Sequence, residues 1–327
     1  MSESSPGRSG LSSSARVAVI VVDYHGQELL AACLTALARQ TRRPDRVILV
    51  DNGALDAFPQ WILGQYPEVL CLHPGANTGF ARGNNLALAE AGDCDWIALL
   101  NPDAFPDPDW LEQLLAAAGR HPEAAAFGSR MYRDRARTHL DGSGDVMHIS
   151  GLVWRRDHGL PAAGRRLHPG EVFSPCAAAA LYRRELFERL GGFDDDFFCY
   201  TEDVDLGFRF RLAGYSCRYV PQAQVIHLGS ALTGVKSEFS LYYGHRNLLW
   251  LFVKNMPLPL LVALAPLHLL MHLAVVLRYL ARGQGGVLIR AKRDALAGLG
   301  RNWKKRAMIQ RQRRVGVLRL LRAMSVW

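Results

Sequence analysis

Two apolar runs in this chain end in acids. Val47-Ile48-Leu49-Val50 leads into Asp51-Asn52-Gly53, and Trp96-Ile97-Ala98-Leu99-Leu100 leads into Asn101-Pro102-Asp103. Unbroken apolarity of this length marks strands covered on both faces. The carboxyl ends of such strands are where open α/β sheets bind ligands. Two carboxylates at one edge suit a nucleotide and a divalent metal. Asp51 can accept from a base N–H or a ribose hydroxyl. Asp103 is a hard oxygen ligand, and Mg²⁺ commonly takes one or two protein carboxylates together with phosphate oxygens. Taken singly, Asp-Asn-Gly and Asn-Pro-Asp are also ordinary turn chemistry.

Three further segments carry chemistry. Asn77-Thr78-Gly79-Phe80-Ala81-Arg82-Gly83-Asn84-Asn85 sets glycines, amides and an arginine at a helix start. Backbone N–H groups and the helix dipole favour anions there, although capping by Asn77 or Thr78 accounts for the same residues. Gly191-Gly192-Phe193-Asp194 is followed by Phe197-Phe198-Cys199-Tyr200-Thr201-Glu202-Asp203-Val204-Asp205. The dipole alone favours acids at a helix start. The glycine turn and the aromatic residues before them describe a walled pocket in which one carboxylate acts as general base. His227 follows a late strand and gains meaning only if it faces Asp103, since a lone histidine is usually structural.

The elements that must position these residues alternate. Strands are expected at Val17–Val22, Arg46–Val50, Val69–Leu72 and Asp95–Leu100, with helices at Glu28–Arg39, Phe80–Ala91 and Asp109–Arg120. This rhythm implies βαβ units and a mostly parallel sheet. After Ala125–Gly128 it breaks. Residues 129–175 read as a loop-rich excursion with a hairpin around Val146–Trp154 and no recognisable motif. Regularity returns at Ala177–Tyr182, a helix at Glu202–Leu212 ends at Gly214, Cys217–Val220 is a late strand, and Glu238–Asn255 is helical.

Length and composition bound the function. The 327 residues, 49% hydrophobic, build a large core. Residues 1–16 are polar and read as a disordered tail rather than a signal peptide. The six cysteines form no CxxC pair, so a cysteine metal site or disulfide framework is not expected. The net charge of +9 is uneven: Arg278 to Trp327 holds 14 Lys and Arg against one acid, Asp294, and the 25 basic and 29 acidic residues elsewhere leave a body of −4. A basic tail on an acidic body points to an anionic membrane or a nucleic acid.

In this order the segments resemble glycosyltransferase family 2, inverting enzymes of the GT-A fold. The resemblance spans about residues 17–250. It implies a Rossmann-like mixed sheet flanked by helices over 17–255. The remaining residues, 256–327, read from their own composition as an apolar helical segment and a basic membrane-associated tail. Asp23-Tyr24-His25 stands where the family usually has Asn-Tyr-Asn. Asp51 resembles the nucleotide-binding aspartate, and Asn77, Gly79, Arg82 and Asn85 fall in the donor-binding loop. Asn101-Pro102-Asp103 resembles the metal motif, usually Asp-x-Asp, which leaves Asp103 to hold Mg²⁺ or Mn²⁺. Glu202-Asp203 resembles the catalytic acidic pair with Asp203 in the base position, and His227 falls where some relatives supply a metal ligand. The rhamnosyltransferase-like branch is nearest. This implies a dTDP- or UDP-linked sugar donor; a glycan or lipid-linked acceptor of the cell envelope is the expectation drawn from the apolar segment that follows the catalytic region.

The segment 258–277 has no Asp, Glu, Lys or Arg, and at 1.5 Å per residue it could cross a core of about 30 Å. A span would place the basic tail outside, against the positive-inside tendency. A hairpin bent at Pro266, or a helix lying in the interface, avoids that conflict. Val317, Leu320, Leu321, Met324 and Trp327 share one helical face opposite Arg311, Arg314, Arg319 and Arg322, a pattern that fits surface binding. The expectation is a monotopic enzyme on the cytoplasmic face of the membrane, with no nucleic-acid partner. Two other functions fit parts of the chain: a sugar-phosphate nucleotidyltransferase, and a non-catalytic membrane or nucleic-acid binder using the tail. The first gives no reason for Glu202-Asp203, and the second none for the acids of the body.

Overall fold

The structure is a computed structural model that describes residues 15–53, 64–229 and 237–326. Most of the tail expected at 1–16, together with Ser230 and Trp327, lies outside the described residues.

The first half follows the alternation. Strands β1 (Val17–Asp23), β2 (Arg46–Asp51), β3 (Val69–Leu72) and β4 (Trp96–Leu100) are parallel in the order 3-2-1-4. Helices α1 (Gln27–Ala38), α2 (Gly79–Ala89) and α3 (Trp110–Arg120) join or flank them. Every residue of β1 and β4 is buried. One hydrophobic cluster lies on the α1 and α3 side of the sheet and a second on the α2 side, so both faces are covered. The parallel pairing of β1 with β2 sets Asp23 beside Asp51 in register at the carboxyl edge.

Beyond β4 the sheet is mixed, as the family resemblance implies, whereas the strand–helix rhythm of the first half alone suggests mostly parallel pairing. The short β5 (Ala104–Pro106), β6 (Ala124–Tyr132), β7 (Leu140–Gly142), β10 (Gly170–Val172), β11 (Ala179–Arg183) and β12 (Ser216–His227) extend it, and β11 runs antiparallel to both β4 and β6. Ala125–Gly128, where the alternation breaks, lies inside β6, whose nine residues are all buried, and the strand expected at Cys217–Val220 continues to His227. A register shift between Val220 and Gln224, around Pro221, breaks the sequence pattern but not the pairing with β6. His227 therefore ends a strand, opposite Ala104 of β5. The hairpin near 146–154 is present as β8 (Asp145–Met147) and β9 (Val153–Arg155).

The remaining helices are α4 (Arg184–Arg189), α5 (Glu202–Leu212), α6 (Glu238–Asn255), α7 (Leu258–Leu280), α8 (Gly285–Ala297), α9 (Leu299–Arg311) and α10 (Val317–Ala323). A third cluster joins Phe197, Phe208, Trp250 and Phe252 of the body to Leu260, Leu320 and Met324. The apolar face expected to bind a membrane surface at 317–327 thus points inward at Leu320 and Met324. Burial in the core removes more apolar area than an interface would, and α10 is a short capping helix.

Helix α7 runs through Pro266 without a break, which removes the hairpin alternative. The histidines that interrupt its apolar run face the body. His268 Nδ1 donates to Ser150 O at 2.7 Å and its ring stacks on Phe252, His272 Nε2 lies 3.0 Å from His268 Nε2, and Lys292 Nζ reaches His272 Nδ1 at 2.7 Å. Leu258, Val262, Leu269, Leu270, Leu273 and Leu277 are each more than half exposed.

Candidate active site

Asp103 follows β4 and is buried. His227 comes from the end of β12, with Nε2 at 3.4 Å from Asp103 Oδ1 and Nδ1 at 2.8 Å from Asp141 Oδ2. A carboxylate on the far nitrogen of an imidazole fixes its tautomer and aim, the usual support of a metal-ligating histidine. Burial alone would lower the His227 pKa, but Asp141 and Asp103 together raise it to about 9. Asn101 Nδ2 lies 3.3 Å from the same His227 Nε2, so the amide that stands in place of a first metal-motif acid still touches this corner. Asp103 and His227 fit a hard divalent cation in both ligand type and support. Asp23 adds a further buried carboxyl. Burial pushes its pKa to about 6, with the Asp51 and Asp103 charges adding to the rise and the Gly26 N–H opposing it.

Asp51 ends β2 with Oδ2 at 3.1 Å from His73 Nδ1 and Oδ1 accepting from Gly53 N. The loop before α2 is built around Asn52, whose side chain accepts from Thr78 N and Oγ1 and donates to Asn77 Oδ1 and Gly79 O. Gly79 has φ +80°, and a Cβ there would come within 2.5 Å of Phe198 O. Only glycine lets the loop approach so closely. Of the expected donor residues, Asn77 and Gly79 are bonded to Asn52, the neighbour of Asp51 in the chain, and Arg82 is exposed on α2. Asn85 is turned elsewhere: it donates to Phe193 O and Asp195 Oδ1 and accepts from Phe193 N, pinning the glycine turn at 191–195.

That turn leads to a strained approach to α5. Phe198, Tyr200 and Thr201 have φ of 64°, 69° and 66°, each costing roughly 1–3 kcal/mol unless the surroundings dictate it. Helix α6 dictates it. Asn247 Nδ2 donates to the carbonyls of Phe197, Cys199 and Tyr200, and Arg246 donates to those of Asp196 and Phe197. Below, Lys254 pairs with Asp194 at 2.5 Å and Asp205 at 2.8 Å, while Lys305 and Arg301 of α9 meet Asp196 at 2.6 Å. The C-terminal helices therefore hold the loop that aims α5.

The first residues of α5 face a cleft of about 500 Å³ whose walls include Phe80, Asn101, Trp154, Ala177, Asp203 and His245. Asp203 Oδ2 accepts from Ala177 N at 3.0 Å, and Oδ1 from Val204 N at 2.8 Å. Burial raises its pKa, opposed by these N–H groups and by Arg155. Glu202 is buried, Oε2 has no hydrogen-bond partner, and burial followed by the Asp203 charge keeps its pKa well above the carboxylate range. Asp203 is thus the held, ionisable member of the pair and Glu202 the one that favours a proton.

The excursion at 129–175, unreadable as a motif, supplies much of this site. Asp141, Asp145, Arg155 and His158 all come from it. Asp141 is bonded to His227, His158 and Arg155, and these partners hold its pKa well below the usual range against the opposing effect of burial. The local sign is the pair of aspartates bracketing Gly142-Ser143-Gly144.

The profile of Glycosyl transferase family 2 matches residues 18–191, more than half of the chain. The chain belongs to glycosyltransferase family 2. This transferase is 34% identical over 255 residues to N-acetylglucosaminyl-diphospho-decaprenol L-rhamnosyltransferase of Mycobacterium tuberculosis (strain H37Rv), across 70% of its own length and 81% of the relative's. It superposes on GalNAc-T7 with UDP, GalNAc and Mn²⁺ at a TM-score of 0.59, with 13% identity over 73% of this chain and 48% of that one. It superposes on the mannosyltransferase PcManGT of Pyrobaculum calidifontis, in complex with GDP-Man and Mn²⁺, at a TM-score of 0.55, with 19% identity over 94% of this chain and 86% of that one. At these identities the structural likeness is one of fold, the GT-A architecture. The transferase is a glycosyltransferase enzyme of the rhamnosyltransferase-like branch.

Proposed function

We propose that this transferase moves rhamnose, with inversion, from a dTDP- or UDP-linked donor to a hydroxyl of a lipid-linked cell-envelope glycan. The observation that carries the reading is the single cleft holding Asp203 on one wall and Asn101, in contact with His227 beside Asp103, on another. Asp51 and the Asn77–Gly79 loop hold the nucleotide. Asp103 and His227 would hold Mg²⁺ or Mn²⁺, which supplies charge neutralisation for the departing diphosphate. Asp203 takes the proton from the acceptor hydroxyl while that oxygen bonds to the anomeric carbon. The bond from that carbon to the diphosphate breaks at the same centre, its electron pair leaving with the nucleotide. The sugar passes through an oxocarbenium-like state, as in other glycosyl chemistry. The rhamnose assignment is supported by the M. tuberculosis relative. A panel of nucleotide sugars with N-acetylglucosaminyl-diphospho-decaprenol as acceptor tests it. The expected result is release of nucleotide diphosphate with dTDP-rhamnose at least about tenfold faster than with UDP-glucose or GDP-mannose. Equal rates across the panel would remove the donor assignment.

The six outward residues of α7 support a membrane-surface location on the cytoplasmic side, where nucleotide sugars are made. A helix buried on one side and apolar on the other lies in the interface, and the basic C-terminal helices match an anionic leaflet. Flotation with phosphatidylglycerol vesicles should recover most of the protein. Leu270→Glu together with Leu273→Glu should cut that recovery several-fold. Equal recovery with neutral vesicles and with the double variant would exclude this surface.

A further inference from the structure

Asp145 and Arg155 lie opposite one another on the β8–β9 hairpin, and neither belongs to the family motifs. Asp145 is buried, and its carboxylate, the Asp203 carboxylate and the Cys176 sulfur have ligand atoms within 4.8 Å of one another. Two carboxyls this close inside a protein do not both ionise readily; they share a proton, and the better-solvated one gives it up first. Their surroundings are unequal. Asp203 accepts from two backbone N–H groups. Among the described residues the Asp145 carboxylate has no side-chain hydrogen bond; Arg155 Nε lies 3.9 Å from Oδ1, and Arg156 is a second positive charge acting on it. The Arg155 guanidinium is itself fixed, with Nη1 at 2.6 Å from Asp141 Oδ2. Its stem lies across Gly142, where a Cβ would come within 2.4 Å of Arg155 Cγ and Cδ.

Resting on Asp203 as the base, we propose that Asp145 and Arg155 are positioning residues: Asp145 carries the proton the two aspartates share, and the fixed Arg155 cation keeps Asp203 ionised. A continuous line of polar contacts then runs from Asp103 through His227, Asp141 and Arg155 to the Asp145–Asp203 pair, linking the donor corner to the base. The other titratable groups around Asp203 are Glu202 on its own helix, Cys176 in the segment before β11, Tyr182 on β11 and Cys199 in the turn before α5. Farther along the cleft lie His158 and His245. The cations acting on the pair are Arg155, on both aspartates, and Arg156, on Asp145; Arg156 Nε donates to Ser143 Oγ at 2.9 Å. Burial, then the Asp203 charge, pushes the Asp145 pKa well above the carboxylate range, in keeping with this division.

Two measurements test the assignment. Infrared difference spectra of the full-length protein near neutral pH, wild type against Asp145→Asn, should show loss of one protonated-carboxyl C=O band. Loss of a carboxylate band in its place would overturn the proposal. The pH profile of kcat, with dTDP-rhamnose and N-acetylglucosaminyl-diphospho-decaprenol, is the second. Removing a cation makes Asp203 easier to protonate, and the base must be unprotonated. Arg155→Met should therefore move the acid limb up by about one pH unit, a tenfold loss on that limb that recovers at higher pH. Arg155→Lys, which keeps the charge, should move it by less than half as much. Arg155→Gln is the second neutral variant if the methionine protein does not fold. A uniform loss at every pH in both neutral variants, or an equal shift in the lysine variant, would overturn the proposal. An active Asp203→Asn enzyme would remove the base reading instead, and the infrared result would still decide where the proton sits.

Discussion

Asp203→Asn should lower turnover by about 10²–10⁴, the range supplied by a positioned general base. The side chain keeps its shape but can no longer take the acceptor proton. Both carboxylate oxygens accept backbone N–H bonds, from Ala177 and Val204. The amide of the variant must therefore set one donor against another, which costs about 1–3 kcal/mol of stability. Thermal unfolding separates this cost from catalysis: the variant should melt a few degrees lower yet remain folded at assay temperature. Glu202→Gln is the control, because Glu202 is buried with one oxygen unpartnered and is not held by those amides. It should cost less turnover than Asp203→Asn. A folded Asp203→Asn enzyme within threefold of wild type would end the assignment.

Asp103→Ala should remove most Mn²⁺ binding and most activity, leaving a small residual rate that no longer responds to chelator. Asp103 and His227 converge from β4 and β12, and no other carboxyl is within ion-pair distance of His227 Nε2 among the described residues. Asp141→Asn tests the support of that ligand. Asp141 holds the far nitrogen of His227 and also Arg155, and loss of such an outer partner typically weakens metal affinity by about 10–100-fold. Calorimetric titration of Mn²⁺ measures both. Wild-type affinity in Asp103→Ala would show that the ion, if bound, sits elsewhere.

Several parts of this molecule were legible from local patterns. The buried parallel strands appear as unbroken apolar runs because both faces are covered, and their acidic ends follow from where the chain leaves the sheet. Gly79, Asp51, Asp103 and the Glu202-Asp203 pair stand in short segments whose composition reports a turn, an edge or a helix start. Strand β12 was half-read because Pro221 and the shift after Val220 interrupt the alternation. The contacts of Asn85 with Phe193 and Asp195 were not legible locally, because an amide at a helix start looks the same whether it meets a ligand or the neighbouring turn.

What the sequence by itself determined is the order of strands and helices, the acids at the carboxyl edge, and an apolar segment ahead of a basic tail. Side-chain type and spacing encode these directly. Tertiary structure decided the rest. It brought His227 to Asp103 across 124 residues of chain, and drew Asp141, Asp145 and Arg155 from a segment without periodicity. It turned His268 and His272 inward while leaving the leucines of α7 outside. It buried the face of α10 that looked ready for a membrane. Each of these is a long-range contact between residues whose local sequence is compatible with several environments. Packing and charge pairing across the whole fold, rather than any local propensity, selected the one that is found.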